Sequence, residues 1–166
     1  MASLLAYTAA ALVGKEIVTS AIRETATSAY TMMYTFIDHP EINNILKQLD
    51  TKATIKTVEN IIKNIEIESI NDTTHVVLNQ VHQILCDIID DLSKINHSLS
   101  VYKQKWFKRF RKADYSIYVD KLKLDHIILE KRLQHLFKVL SINKYLQNNK
   151  LKAKSKEYMI NYIDNK

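Results

Sequence analysis

The sequence of 166 residues is poor in the residues that make tight turns, with one glycine, Gly14, and one proline, Pro40. Sheets joined by tight turns need residues that tolerate positive φ, and loops that cradle phosphate need glycines for close backbone approach. Dinucleotide-binding and P-loop folds are therefore nearly excluded. An all-helical chain is the structure that this composition favours.

Cysteine is as scarce as glycine. The single Cys86 cannot form a disulfide within the chain, so nothing ties the protein to an oxidising compartment. His82 lies four residues before Cys86, but two ligands do not make a zinc site, and nothing near Cys86 in its apolar helix would activate it as a nucleophile. We expect no metal, no cofactor and no catalytic residue, so the sequence predicts a protein that is not an enzyme.

Charge is absent from residues 1–14, which are rich in Ala and Leu. The run has no positively charged start, and Lys15 and Glu16 end it before the roughly 18–20 residues needed to span a bilayer. The sequence therefore predicts neither a signal peptide nor a spanning helix. We expect a cytoplasmic protein whose N-terminal helix packs in a bundle or lies on a membrane surface.

Apolar residues recur every three or four positions along most of the chain, which predicts helices over about 3–37, 40–49, 52–67, 73–99 and 115–147. Three capping signals separate them: Asp38-His39-Pro40-Glu41, Asp50-Thr51 and Asn71-Asp72-Thr73.

The two longest apolar stripes are the expected core. The first comprises Val77, Val81, Ile84, Ile88, Leu92, Ile95 and Leu99, and the second comprises Tyr115, Val119, Leu122, His126, Leu129, Leu133, Leu136 and Leu140. Candidate core residues of the first helix are Leu4, Leu5, Leu12, Val13, Ile17, Val18, Ala21, Ile22 and Ala29. Such heptad spacing suits nearly antiparallel helices. The predicted fold is an all-α antiparallel bundle of four to five helices, with one domain over 1–147 and a basic, partly flexible tail over 148–166.

Two polar features lie on these stripes. Asp87, Asp90, Asp91 and Lys94 are expected to form a solvated acidic face, since no second acidic helix accompanies them to complete a carboxylate site. His126 falls among the leucines of the last helix, where it is expected to be a hydrogen-bonded structural residue; a pH-sensitive core residue is the alternative.

The two halves of the chain differ in charge. Residues 1–100 carry 7 Lys/Arg against 12 Asp/Glu, whereas residues 101–166 carry 17 against 6. The basic half opens with residues 102–112, which we call the basic–aromatic segment because six of its eleven residues are cations and four are aromatic. A cationic surface with interleaved aromatics indicates an anionic partner.

The candidate binding residues all lie in this segment: Lys103, Lys105, Trp106, Lys108, Arg109, Arg111 and Lys112. On an interfacial helix the aromatic side chains would enter the head-group layer while the cations meet anionic lipid. The same residues could bind nucleic acid through phosphates and base stacking, or an acidic protein face. In the simplest alternative Trp106, Phe107 and Phe110 belong to the core and the cations form a solvated rim.

This layout resembles the HeLo and mixed-lineage-kinase-like four-helix bundles of cell-death and incompatibility proteins. The resemblance covers roughly 1–147 and rests on MASLLAYTAAALVGKEIVTSAI and on KQKWFKRFRKADYSIYVDKLKLDHIILEKRLQHLFKVLSI, where a basic segment precedes a long helix of regularly spaced leucines. It implies a homo-oligomer that binds anionic membranes through its N-terminal helix and the basic–aromatic segment.

The chain also resembles small helical proteins of large DNA viruses with AT-rich genomes. Lys, Ile and Asn are frequent (12 Asn), as in DHPEINNILKQLDTKATIKTVENIIK and KQKWFKRFRKADYSIYVDKLKLDHIILEKRL. This resemblance implies a virion or host-interaction component: a structural or adaptor protein, in the virion in the first case, whose basic face contacts an acidic protein or nucleic acid.

Overall fold

The protein consists of α-helices wherever its backbone is described. A computed structural model describes the backbone of residues 2–104 and 114–164 and the side chains of residues 13–67, 69–102 and 114–150. The helices are α1 (Ala2–Tyr34), α2 (Pro40–Gln48), α3 (Thr51–Asn64), α4 (Asp72–Gln104) and α5 (Ser116–Asp164), with a 3₁₀ turn at Ile67–Ser69. No strand occurs in these ranges, so the predicted all-α class is confirmed.

Helices α4 and α5 form the most extensive contact of the bundle and run antiparallel. Three polar contacts fix their register. Lys121 binds Asp91, Arg132 donates to the carbonyl of Gln80, and Asn143 donates to Thr74. As the residue number rises along α5, its partner's number falls along α4, so the end of α4 and the start of α5 lie at the same end of the bundle.

Helix α1 runs parallel to α4, because Thr25 contacts His82 whereas Lys15 lies beside Asn71 at the start of α4. Helix α3 is antiparallel to α1. The ammonium group of Lys52 lies 4.3 Å from the ring centre of Tyr34, and Glu59, farther along α3, accepts a hydrogen bond from Thr27. Successive long helices thus alternate in direction, as in an up-down-up-down bundle.

Three sides of this four-helix arrangement are well packed and the fourth is not. Helix α4 packs on α5 and on α1, and α1 packs on α3, but α3 and α5 barely touch. Helix α1 therefore lies diagonally across from α5.

The core is one continuous cluster. All seven predicted core residues of the first stripe are buried on α4, and Leu78 and Leu85 broaden it. On α5 the predicted core residues from Val119 to Leu136 are buried, whereas Tyr115 and Leu140, the first and last of the set, are half-buried. Among the candidates on α1, Ile22 and Ala29 are buried, but Val13 and Ile17 are exposed, which corrects the prediction for these two residues. Leu4, Leu5 and Leu12 lie outside the described side chains.

Two caps and several helix ends differ from the predicted ones: α1 ends at Tyr34 instead of near 37, α3 ends at Asn64 instead of near 67, and α4 continues to Gln104 instead of 99. Helix α2 begins at Pro40 as expected, but its N-cap is His39 and no side chain caps it. Asp50 precedes α3 in a left-handed conformation (φ 51°) without capping it. Helix α5 does not stop near 147; its backbone continues to Asp164 as one element.

Candidate functional site

Most of the predicted binding residues lie outside the described part of the chain. Lys103 is in the last turn of α4, where only the backbone is described; Lys105, Trp106, Lys108, Arg109, Arg111 and Lys112 fall in 105–113. Their role in binding therefore stays a prediction.

The surroundings of the basic–aromatic segment are described. Gln104 ends α4 and Ser116 begins α5, and the antiparallel pairing puts both at one end of the bundle. Helix α2 is tied to the same end, because the hydroxyl of Tyr115 donates a hydrogen bond to the carboxylate of Glu41.

The N-terminal helix begins at the opposite end. Helix α1 is parallel to α4, so Ala2 is remote from Gln104. The 33 residues of α4 alone correspond to about 50 Å at 1.5 Å per residue. The start of α1 and the end of α4, which the basic–aromatic segment follows in the sequence, thus lie at opposite ends of the bundle.

The outer face of α5 carries apolar residues where a bundle helix normally carries polar ones. With Val119 and Leu122 as core positions of the heptad, the position pointing directly away from the core is occupied by Ile117, Leu124, Lys131, Lys138 and Tyr145, which we call the α5 stripe. Ile117 is 70% exposed, Leu124 55% and Tyr145 67%.

Apolar residues also flank the α5 stripe. Ile127 and Ile142, on neighbouring heptad positions, are exposed as well. Ile117 and Tyr145 are 28 positions apart, or about 42 Å along the helix. Apolar residues that recur along one helix face and remain exposed within the described part of the chain, here with Lys131 and Lys138 between them, are typical of an interaction site.

A buried carboxyl pair lies between α4 and α5. Asp91 is fully buried and Asp125 is 5% exposed, so the expectation that Asp91 belongs to a solvated face is wrong. Lys121 Nζ lies 3.0 Å from Oδ1 of Asp91 and 3.8 Å from Oδ2 of Asp125. Oδ2 of Asp91 and Oδ2 of Asp125 are both buried and neither accepts a hydrogen bond. One ammonium group therefore serves two buried carboxyl groups.

The electrostatics of this pair follow from its burial. The pKa of Asp125 is raised from 3.8 to about 6, first because burial penalises the charged carboxylate, and then because the neighbouring Asp91 carboxylate can accept a hydrogen bond from a protonated Asp125 and is itself negatively charged. Lys121 acts in the opposite direction. The hydrogen bond to Asp91 raises the pKa of Lys121, which keeps this ammonium group charged.

A signal for this pair is present in the sequence. Asp91 lies three residues after Ile88, and Asp125 lies three residues after Leu122, so each occupies a core position of its helix. Whether two aspartates on the core faces of α4 and α5 are neighbours depends on the axial register between the two helices. The sequence alone does not give that register.

His82 and His126 each contact neighbouring side chains. His82 Nε2 lies 3.2 Å from Thr25 Oγ1 and 3.6 Å from Cys86 Sγ, which links α1 to α4. His126 is 3% exposed; its Nε2 lies 3.5 Å from Glu130, whereas its Nδ1 is buried without a partner. Among the described residues, no cluster of three or more His, Cys, Asp or Glu side chains is arranged to hold a metal ion.

The open side of the bundle forms a groove of about 620 Å³ between α3 and α5. Its base contains Ile61, Ile65 and Leu140, and its walls carry amide side chains: Asn60, Asn64, Asn143, Gln147 and Asn148. Lys144 and Glu66 are the charged residues of the lining. This neutral groove gives no preference for an anionic partner.

No protein family, curated protein or solved structure matches the chain. Within the described residues, no helix combines the length and the apolar character needed to cross a membrane.

Proposed function

We propose that this protein is a non-catalytic helical bundle that binds anionic membrane surfaces through the basic–aromatic segment and the α5 stripe that follows it. The observation that carries the proposal is the exposure of Ile117, Leu124 and Tyr145 at positions pointing away from the core. Apolar side chains beside cations are what binding in the plane of a head-group layer requires.

The two parts of the surface are continuous along the chain. The segment ends at Lys112 and the stripe begins at Ile117, so cations and aromatics lead directly into exposed apolar residues. A bundle lying on its side, with α5 towards the lipid, would use both. The N-terminal helix is left out of this surface because α1 lies diagonally across from α5.

Charge favours an anionic partner over a second copy of the chain. Lys131 and Lys138 occupy the middle of the stripe. If two copies paired through it in parallel and in register, or antiparallel about a point midway between Lys131 and Lys138, these lysines would meet lysines, and like charges at an interface oppose association. A homo-oligomer of the kind that the HeLo resemblance implies would then use another surface.

Liposome co-sedimentation tests the stripe. The variant Lys131→Gln/Lys138→Gln should bind vesicles containing anionic phosphatidylserine about 30-fold more weakly than the unaltered chain, since each lysine near such a surface contributes about 1 kcal/mol. The variant Lys47→Gln/Lys63→Gln removes two exposed lysines from α2 and α3 and should bind normally. Equal binding by the two double variants would remove the α5 stripe from the proposal.

The segment needs its own test. Replacing Lys105, Lys108, Arg109 and Arg111 by Gln should weaken anionic-vesicle binding by several orders of magnitude while leaving helicity intact. Trp106→Ala should weaken binding with little change in melting temperature. If Trp106→Ala instead lowers stability by about 3–5 kcal/mol and the four-Gln variant binds normally, Trp106 is a core residue and the membrane proposal fails.

Nucleic acid is the competing anionic partner. A gel-shift assay with single- and double-stranded DNA and RNA, at the same ionic strength as the vesicle assay, separates the two. Binding to nucleic acid without binding to anionic vesicles would contradict the membrane proposal and identify nucleic acid as the anionic partner.

A further inference from the structure

The carboxyl pair Asp91–Asp125 has no role in the proposed binding surface. Both side chains are buried, and Lys121 is the one Lys or Arg of the described part of the chain whose charged group lies within 4 Å of either carboxyl group. Two buried oxygens, one on each carboxyl group, accept no hydrogen bond. Buried polar atoms are normally satisfied, so this arrangement needs an explanation.

We propose that Asp91 and Asp125 form a proton-dependent contact that holds α4 and α5 together more tightly in acid than at neutral pH.

The geometry gives the reason. With both carboxyl groups ionised, Lys121 neutralises one negative charge and the second remains buried next to the first. Such a charge is costly in a low-dielectric interior. When Asp125 binds a proton, its hydroxyl can donate to the unoccupied oxygen of Asp91. The group of three is then neutral, and a strong hydrogen bond joins the two helices.

The charged groups around the pair belong mainly to α4 and α5. Asp87 adds a negative charge from α4, and Lys94 on α4 interacts with both Lys121 and Asp91. On α1 the stretch at the same level, residues 25–37, contains no charged residue. On α3, the cation at about the same height along the bundle axis is Lys52, whose ammonium group lies over the ring of Tyr34.

The direction of the pH effect follows from the raised pKa of Asp125, which is about 6 in the folded protein against 3.8. The folded state holds the proton more tightly than the unfolded state. The stabilisation is therefore complete below about pH 4 and is lost as the pH rises through about 6. Two pKa units correspond to about a hundredfold change in the unfolding equilibrium.

The test compares the full chain with Asp125→Asn by urea unfolding between about pH 4.5 and about pH 7.5. Asn is neutral at every pH and its amide can donate to Asp91. We expect the variant to lose most of the pH dependence and to exceed the unaltered chain in stability at neutral pH. Asp120→Asn, on the same helix but with a 75% exposed carboxylate paired to Lys123, should retain the full dependence.

His126 needs a separate control because an imidazole titrates in the same range and this one is buried next to Asp125. The variant His126→Gln should retain the dependence. Titration of the unaltered chain by ¹³C carboxyl NMR gives a readout that does not require Asp125→Asn to fold. An Asp125 carboxyl that loses its proton near pH 4, or an Asp125→Asn variant with an unchanged pH response, would refute the proposal.

Discussion

Asn71 caps α4 through Thr74: its side-chain Oδ1 accepts hydrogen bonds from the backbone amide of Thr74 at 2.8 Å and from the hydroxyl at 2.9 Å. Asn143 of α5 closes the network, since its amide donates to the Thr74 hydroxyl at 2.7 Å and its Oδ1 accepts from Asn71 at 2.9 Å. Thr74 is fully buried. Asn71 therefore both caps the start of α4 and links it to α5.

Replacing Asn71 by Ala should lower the free energy of unfolding by about 1–2 kcal/mol, because the cap is lost and the contact to Asn143 with it. Urea unfolding measures the change. Asn79→Ala removes an exposed amide of α4 that lies 3.3 Å from the imidazole of His75, and we expect a change within about 0.5 kcal/mol. Similar losses in the two variants would mean that the cap adds nothing beyond helix propensity.

Asp50 offers a stabilising substitution. It follows α2 in the left-handed region (φ 51°), and its backbone amide donates to the carbonyl of Lys47. Glycine is the usual residue at such a helix C-terminus, since it has no Cβ to oppose positive φ. Asp50→Gly should raise the free energy of unfolding by up to about 1 kcal/mol and the melting temperature with it. Asp50→Val should lower both. A lower melting temperature for Asp50→Gly would indicate an unrecognised role of the carboxylate.

Tyr115 should ionise late. Burial and the hydrogen bond to Glu41 raise its pKa from 10.0 to about 12. Because the folded value is the higher one, the stabilising contribution is present below about pH 10 and is lost as the pH rises through about 12. Ultraviolet difference titration of the unaltered chain against Tyr115→Phe isolates this phenol among the nine tyrosines. A difference spectrum centred at pH 10 would show that Tyr115 does not contact Glu41 in solution.

The fold class and most of the core could be predicted from the sequence. On α4 the apolar stripe from Val77 to Leu99 identified buried residues correctly, since the 3.6-residue period decides which side chains share a face. On α1 the same reasoning assigned Val13 and Ile17 to the core, although both are exposed. In that helix, alanines, threonines and isolated apolar residues occur on more than one face. The sequence therefore did not identify which face packs against the bundle.

The polar site was harder to predict than the core. Asp91 and Asp125 lie on different helices, and their proximity depends on the register between α4 and α5. Hydrophobic periodicity gives the face of each helix but not its axial position relative to a neighbour. The exposure of Ile117 and Leu124 could have been predicted, because the heptad that makes Val119 and Leu122 core residues places these two on the opposite side of α5.

The open side between α3 and α5 affects the order in which the helices unfold. Helix α3 packs mainly on α1, whereas α4 is held from two sides. Elements with few tertiary contacts open first and exchange their amide protons by sub-global unfolding, before the whole domain melts. The α2–α3 pair should therefore be the least protected unit in native-state hydrogen exchange, and a three-helix intermediate of α1, α4 and α5 would keep the α5 stripe on its surface.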